Sequence, residues 1–290
     1  MPSALLESLR PKQWVKNLAL FAAIIFSRNL QNITMLWRSI LAFVLFCLIS
    51  SSIYLFNDIR DIESDRQHPV KRKRPLPSGR LSTGMALRTG MALAGCGLIS
   101  AWFLSPAFFW IALAYFLMQL AYSLKLKQIV ILDVMLIALG FVFRVVSGAL
   151  VIDVKISSWL LICTILLALF LALSKRRHEL VFLEDKAGEH RQILREYSPY
   201  FLDQMISVVT ASTVMAYALY TMSPETVAKF GTNNLDLTIP FVLYGIFRYL
   251  YLIHQKELGG DPTRILFTDR PLIINIILWF LCVELVINLG

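Results

Sequence analysis

Three aspartates follow one another at helical spacing early in the chain. Asp58, Asp61 and Asp65 occupy positions i, i+3 and i+7, so a helix continuing past Phe56 would place the carboxylates on one face. They would lie at the C-terminal end of that helix, where the backbone dipole disfavours negative charge. Carboxylate oxygens are common ligands of Mg²⁺. A Mg²⁺ ion held by only a few carboxylates usually binds substrate phosphates as well. The spacing predicts a Mg²⁺–phosphate site, and the alternative is a solvated acidic helix end.

A proline-rich basic loop, residues 71–80, follows the aspartates. Two prolines and a glycine oppose a continuous helix there. Lys71, Arg74 and Arg80 are therefore candidates to fold over a phosphate bound at the aspartates. The alternative is that the loop only forms salt bridges with the acidic helix end.

The composition is that of a membrane protein, because 57% of the 290 residues are hydrophobic and only 16% are charged. Apolar runs of about 17 to 22 residues are long enough to cross a bilayer as helices. We therefore predict an all-α integral membrane protein that forms one transmembrane catalytic domain over residues 1–290. About nine spans are expected: 15–33, 37–57, 84–104, 106–123, 129–151, 157–175, 204–222, 236–254 and 270–288.

The lysines and arginines are distributed unevenly between the predicted connections. If the N-terminus is cytoplasmic, most of the 28 basic residues fall on the cytoplasmic side. This asymmetry predicts a multi-pass protein of the inner (plasma) membrane, with the N-terminus inside and the C-terminus outside. Anionic lipid head groups account for part of the positive charge, and no separate basic module suggests a nucleic acid partner. The expected cytoplasmic loops are about 58–83, 124–128, 176–203 and 255–269.

Several polar residues fall within the predicted spans or at their ends. Lys16 and Asn17 begin the first run, where they either face a polar cavity or snorkel to the interface. Arg144 lies near the middle of the fifth run, where an ionised side chain is expensive unless it is paired or faces water. Asp133 is about three turns away and is not an obvious partner. Arg144 therefore has either a structural ion-pair role or a role in the site.

These motifs together resemble a known family. The segment Asn57–Asp65 followed by Arg74–Gly79 resembles the first signature of the UbiA superfamily of intramembrane prenyltransferases. The segment Tyr122–Lys127 with Asp133 is similar to that superfamily as well, and so is the nine-span layout. The resemblance implies a UbiA-like helical bundle, a cytoplasmic-side active-site cavity and Mg²⁺ as the cofactor.

The chain departs from that superfamily where a second Asp-rich motif usually follows the sixth helix. The sequence there reads Lys175-Arg176-Arg177-His178-Glu179, and only Asp185-x-x-x-Glu189 follows. A site that handles two phosphorylated substrates needs more cations. This pattern, with Arg10–Asn17, Gly259–Pro262 and Asp269–Pro271, is similar to the decaprenyl-phosphate phosphoribosyltransferase branch.

The resemblance to that branch implies a reaction and a set of residues. A 5-phosphoribosyl group would pass from phosphoribosyl diphosphate to a polyprenyl (decaprenyl-type) phosphate, for synthesis of cell-envelope sugar donors. Asp58, Asp61 and Asp65 would hold Mg²⁺ as catalytic residues. The implied substrate-binding residues are Lys16, Asn17, Asn57, Lys71, Arg74, Tyr122, Lys127, Arg144, Lys175, Arg176, Arg177 and Glu179. Membrane lipids complete the expected partners.

Two other functions remain open from the sequence. A UbiA-type prenyltransferase would use the same Mg²⁺ site to move a prenyl group from a prenyl diphosphate to an aromatic or other small acceptor. A transporter of anionic solutes would use Arg144 and Arg248 along its pathway. A transporter has no evident need for three aspartates on one face, and the sequence shows no clear pair of interrupted helices at repeat positions.

Overall fold

A computed structural model describes residues 2–67, 69–183, 192–256, 258, 260 and 262–289. Within these residues the regular structure is helical throughout, which confirms the all-α prediction. The α-helices are α1 Pro2–Leu9, α2 Ala22–Phe26, α3 Ile33–Arg60, α4 Ile62–Gln67, α5 Thr83–Leu104, α6 Pro106–Leu124, α7 Leu132–Ile152, α8 Ser158–Leu183, α9 Pro199–Met222, α10 Pro224–Phe230, α11 Ile239–Gln255, α12 Pro262–Thr268 and α13 Arg270–Leu289. Short 3₁₀ helices include Pro11–Phe21, Lys71–Lys73, Leu126–Gln128, Gln192–Glu196 and Asn234–Thr238.

Eight helical segments of the described chain are long and apolar enough to cross a membrane, and they correspond to eight of the nine predicted runs. This pattern makes the protein a multi-pass membrane protein. The segments are Ile33–Arg60, Thr83–Leu104, Pro106–Leu124, Leu132–Ile152, Ser158–Phe182, Pro199–Met222, Asn234–Gln255 and Arg270–Ile287.

The first predicted span, 15–33, is not a single α-helix. The chain forms the 3₁₀ helix Pro11–Phe21 and then the short α2. Because a 3₁₀ helix has three residues per turn, Trp14, Asn17 and Leu20 line up on one side. Trp14 and Asn17 hydrogen-bond to side chains of α3, and Leu20 is fully buried. At about 2.0 Å per residue in the 3₁₀ part, the segment is about 30 Å long, so a ninth crossing stays a prediction.

The chain divides into two compact units, Met1–Ile156 and Ser157–Gly290. In the first unit, α3 packs against the 3₁₀ helix Pro11–Phe21, α5, α6 and α7. Small residues make its contact with α5 close, as is usual between membrane helices. They recur every three or four positions and are buried: Ala86, Gly90, Ala94, Gly97 and Ala101.

The end of α3 positions the aspartate motif. The helix continues past Phe56 to Arg60, as expected, but it breaks at Asp61 and resumes as α4. The Asp61 amide donates to the Asn57 carbonyl (3.0 Å), and the Asp65 amide donates to the Asp61 carbonyl (2.8 Å). Asp58 and Asp65 pair with the same arginine, Arg74, whereas Asp61 pairs with Lys127.

In the second unit, α8 packs along α9 and α11 packs along α13. Helix α8 ends at Leu183, beyond the predicted end at 175, so Arg176, Arg177 and Glu179 are helical rather than part of the predicted loop 176–203. Charged pairs within and beside this last part of α8 explain the extension. Asp185 and Glu189, with Gly259 and Asp261 of another quoted motif, lie outside the described residues.

Candidate active site

Asp58 and Asp65 are buried and share one arginine. Asp58 lies in the last turn of α3 and is 1% exposed, whereas Asp65 lies in α4 and is 3% exposed. The Nη1 atom of Arg74 lies 3.3 Å from Oδ1 of Asp58 and 2.7 Å from Oδ2 of Asp65. Lys71 approaches Asp65 more loosely, with Nζ 3.9 Å from Oδ1. The basic loop thus forms salt bridges with the aspartates, which is the alternative considered from the sequence, and its contact with a bound phosphate stays a prediction.

Asp58 has a second cationic partner that the predicted site does not include. The guanidinium of Arg10 donates a short hydrogen bond to Oδ1 of Asp58. Its central carbon also lies 5.1 Å from the centroid of the Tyr54 ring. Arg10 links α1 to the 3₁₀ helix and has a left-handed backbone, with φ 54° and ψ 59°. No regular spacing in the sequence joins Arg10 to Asp58, because the two are 48 residues apart.

Asp61 faces a different cation. The Nζ atom of Lys127 lies 2.8 Å from both carboxylate oxygens of Asp61. Lys127 belongs to the 3₁₀ helix Leu126–Gln128, which directly follows α6. Arg60 holds the end of α6 beside α3, because its guanidinium donates to the carbonyl of Ser123. Positive charge at a helix C-terminus also suits the helix dipole.

The donor chemistry of the three aspartates fits Mg²⁺, although in this arrangement their carboxylates bind protein cations. Carboxylate oxygens are the usual protein ligands of Mg²⁺. Buried carboxylates require neutralisation, and a metal ion can provide it in place of a guanidinium or an ammonium group. In the described part of the chain, no three acidic, histidine or cysteine side chains converge as a ready-made metal cage. Asp58, Asp61 and Asp65 are the residues that would hold the ion.

Arg144 is buried in α7, 4% exposed, among neutral partners. It donates to Oδ1 of Asn17 (2.8 Å), the hydroxyl of Tyr115 (2.8 Å) and the carbonyl of Gly140 (2.7 Å). Its guanidinium also lies over the rings of Tyr115, Phe141 and Phe46 at 4.9, 5.5 and 5.9 Å. The ion-pair role considered from the sequence finds no carboxylate partner among the described residues.

Asn17 ties this arginine to α3. Its side-chain amide donates to Oγ of Ser50 (3.1 Å) and to Sγ of Cys47 (3.3 Å), while its oxygen accepts from Arg144. Three other predicted substrate-binding residues of this unit are half-buried: Lys16, Asn57 and Tyr122. Their binding roles stay predictions.

The second unit has its own charged cluster at the end of α8. Arg176 is 2% exposed and pairs with Oε2 of Glu179 at 2.6 Å. Lys175 Nζ lies 3.9 Å from Oε1 of the same glutamate. Arg177 pairs with Asp203 of α9 at 2.5 Å, and Nε2 of His254 in α11 lies 3.1 Å from that aspartate. The partnership of Asp203 and His254 is not visible in the sequence, since 51 residues separate them.

Arg248, which lies within a predicted span, has a carboxylate partner. It forms two hydrogen bonds to Asp269, of 3.1 and 2.8 Å. Asp269 also caps α13, because its Oδ1 accepts from the Leu272 amide at 3.0 Å. The Arg248 hydrogen bond lowers the pKa of Asp269. An aspartate directly before an apolar run is a recognisable capping signal in the sequence, although its bond to Arg248 is not.

Comparison with known proteins assigns the family. The model of the UbiA prenyltransferase family matches residues 18–269. The chain belongs to the UbiA prenyltransferase family. It is 32% identical over 289 residues to a decaprenyl-phosphate phosphoribosyltransferase of Mycolicibacterium smegmatis, covering 96% of this chain and 90% of the relative. A Corynebacterium glutamicum protein of the same name is 31% identical, with 99% of this chain and 87% of the relative covered.

A solved structure confirms the UbiA fold. A UbiA homologue from Archaeoglobus fulgidus superimposes with a TM-score of 0.74 at 20% identity, covering 98% of this chain and 99% of that one. The family and the two relatives confirm the predicted branch and make this multi-pass membrane protein a transferase. The transporter interpretation is therefore set aside.

Proposed function

We propose that this UbiA-family transferase moves a 5-phosphoribosyl group from phosphoribosyl diphosphate to a polyprenyl phosphate of the decaprenyl type and releases diphosphate. The observation that carries the proposal is the similarity, over nearly the whole chain, to two relatives named for this reaction. The cationic sequence Lys175–Arg177, in place of a second acidic motif, supports it because both substrates carry phosphate. The product would serve the synthesis of cell-envelope sugar donors.

Asp58, Asp61 and Asp65 are the proposed Mg²⁺ ligands. The bound ion would supply positive charge that stabilises the leaving diphosphate. Two observations support this assignment: the three carboxylates are already held close to cations, and the Archaeoglobus fulgidus homologue is described as bound to GPP and Mg²⁺.

The cations around the aspartates are proposed to bind phosphate oxygens. Arg74, Lys71 and Lys127 would hold the diphosphate, because their side chains already contact the aspartates that would hold the metal. The cationic residues of α8, from Lys175 to Arg177, would bind the ribose 5-phosphate or the lipid phosphate, with Glu179 orienting Arg176. The remaining proposed substrate contacts are Lys16, Asn17, Asn57, Tyr122 and Arg144.

The proposed reaction is a substitution at ribose C1. An oxygen of the lipid phosphate forms the new bond to C1, and the bond from C1 to the diphosphate oxygen breaks with its electron pair leaving on diphosphate. The lipid phosphate is already an anion, so no strong general base is required. The residues of this chain would contribute by positioning the two substrates and by neutralising charge on the phosphates.

We propose that the N-terminus faces the cytoplasm and that the C-terminus lies outside. The distribution of lysine and arginine supports this orientation. It requires an odd number of crossings, so the 3₁₀ segment Pro11–Phe21 with α2 would also have to cross. The proposed site would then open on the cytoplasmic side of the inner (plasma) membrane. Reporter fusions at the two termini test this proposal, and signals on the same side would overturn it.

Prenyl transfer to a small acceptor is the second candidate. The family description favours it in general terms, and the same aspartates would serve it. It differs in which substrate carries the diphosphate, so the two functions are separated by the donor that is consumed.

The test uses purified protein with Mg²⁺, polyprenyl phosphate and labelled phosphoribosyl diphosphate. Wild-type protein should move the label into the organic phase, and Asp61→Asn protein should not. Arg66→Gln is the matched control, because Arg66 is exposed and its ion pair is with Glu63. The proposal is wrong if the wild type transfers no phosphoribosyl label yet consumes a prenyl diphosphate with an aromatic acceptor.

A further inference from the structure

Arg10 contacts the aspartate motif although it lies outside the predicted site. Its hydrogen bond reaches the same oxygen of Asp58 that Arg74 approaches. The Asp58 side chain is 2% exposed, whereas 24% of the Arg10 side chain is exposed. A buried acid thus depends on an arginine that solvent can still reach.

The four cations around the three aspartates would compete with any bound metal ion for the carboxylates. Arg10 and Arg74 contact Asp58, Arg74 and Lys71 contact Asp65, and Lys127 contacts Asp61. A divalent ion arriving alone would be repelled by these cations at close range. A diphosphate arriving alone would have to compete with the aspartates for the same four cations. When both ligands bind, the metal ion pairs with the aspartates and the diphosphate pairs with the cations, so neither ligand meets uncompensated competition.

We propose that Arg10 is the exchangeable counter-ion of Asp58. It holds the carboxylate in the absence of substrate and passes to a diphosphate oxygen when the metal ion takes Asp58. This inference rests on the metal–diphosphate site of the proposed function. It goes further by giving Arg10 a direct part in substrate binding and by making metal and diphosphate bind cooperatively.

Three structural features favour Arg10 over Arg74 for this exchange. Arg74 is held by two carboxylates, but Arg10 bonds to Asp58 alone among the acids of the described chain. Arg10 also forms the single left-handed residue between two helical segments, a position where small backbone rotations redirect a side chain. The Tyr54 ring offers the guanidinium a cation–π contact beside Asp58.

The coupling can be measured without turnover, with Mn²⁺ as the metal and inorganic diphosphate as the anion. Paramagnetic resonance or calorimetry gives the Mn²⁺ affinity of the full-length protein in detergent, with and without diphosphate. For the wild type, diphosphate should tighten Mn²⁺ binding by at least about tenfold, and Mn²⁺ should tighten diphosphate binding by the same factor.

Removing the Arg10 charge should tighten the binding of Mn²⁺ alone and reduce the further tightening that diphosphate causes. Arg10→Gln should bind Mn²⁺ alone at least about tenfold more tightly than the wild type, because the competing cation is gone. The additional tightening caused by diphosphate should fall by a similar factor. Arg10→Lys should restore the wild-type behaviour, and the exposed control Arg66→Gln should leave both values unchanged.

The outcomes separate this inference from the proposed function. Wild-type protein that binds no Mn²⁺, even with diphosphate, would contradict the metal site itself. Normal Mn²⁺ binding in the wild type with unchanged values in Arg10→Gln would show that Arg10 only fastens α1 to α3. If Arg10→Gln does not fold, Arg10→Gly removes the guanidinium while suiting the left-handed backbone, and it should give the same result.

Discussion

Replacing Arg144 by methionine separates a structural role of this residue from a role in the site. The substitution replaces the arginine with an apolar side chain of comparable length and so removes the buried charge. It removes the side-chain donor from three groups: the oxygen of Asn17, the hydroxyl of Tyr115 and the carbonyl of Gly140, which keeps its helical backbone bond. If hydrogen bonds to these neutral partners offset the cost of burying the guanidinium charge, loss of the guanidinium lowers the free energy of unfolding even without substrate.

The expected magnitude follows from the three hydrogen bonds. A hydrogen bond to a charged group contributes roughly 1.5–3 kcal/mol in soluble proteins, whereas interhelical bonds in a membrane protein average about 0.6 and reach about 1.7 kcal/mol. Relief of the buried charge acts in the opposite direction. For Arg144→Met we therefore expect a loss of about 2–4 kcal/mol in the free energy of unfolding.

A double-mutant cycle with Asn17→Leu isolates one of these bonds. Unfolding free energies of the wild type, the two single variants and the double variant would be measured by denaturant titration in mixed micelles. The coupling energy between Arg144 and Asn17 should be about 1–1.7 kcal/mol. A coupling below about 0.5 kcal/mol, with Arg144→Met as stable as the wild type or more stable, would show that these hydrogen bonds do not stabilise the fold. The buried charge would then depend on a bound anion instead.

Two further predictions concern packing and pH. A Cβ atom added at Gly148 would lie 1.9 Å from the Leu20 carbonyl oxygen, so Gly148→Ala should lower the free energy of unfolding by about 1–3 kcal/mol. Gly95→Ala, which meets no atom within 4 Å, should instead be neutral or raise thermal stability. Because Arg248 lowers the pKa of Asp269, the stabilisation by this carboxylate is present above its unfolded pKa of about 3.9 and is lost as pH falls through the lower folded value. Thermal melts from about pH 6 to pH 3 should therefore show the wild type losing its advantage over Asp269→Asn as the pH falls, and a constant difference would contradict this.

The apolar runs, the aspartate motif and the basic loop could be predicted from the sequence because each depends on local pattern. Length and hydropathy identify eight membrane-spanning segments. The salt bridge of Arg74 to Asp65 is the alternative that the basic loop and the acidic helix end offered in the sequence. These features need no knowledge of which distant elements pack together.

The other features depend on contacts between distant parts of the chain. The 3₁₀ helix Pro11–Phe21 is selected by hydrogen bonds to α3, which hydropathy does not register. Two of the neutral partners of Arg144 come from other elements, at separations of 29 and 127 residues. Arg10 likewise meets Asp58 only because α1 packs against α3. Patterns of spacing within one helix cannot reveal such partners.

Letting two donors compete for one enzyme shows directly which group the protein transfers. Purified protein with Mg²⁺ would receive equal concentrations of phosphoribosyl diphosphate and a prenyl diphosphate, together with polyprenyl phosphate and an aromatic acceptor. Mass spectrometry of the extracted lipids identifies the group that has moved. We expect a polyprenyl phosphate that has gained one phosphoribosyl unit, with no prenylated acceptor. A prenylated acceptor with unmodified polyprenyl phosphate would contradict it.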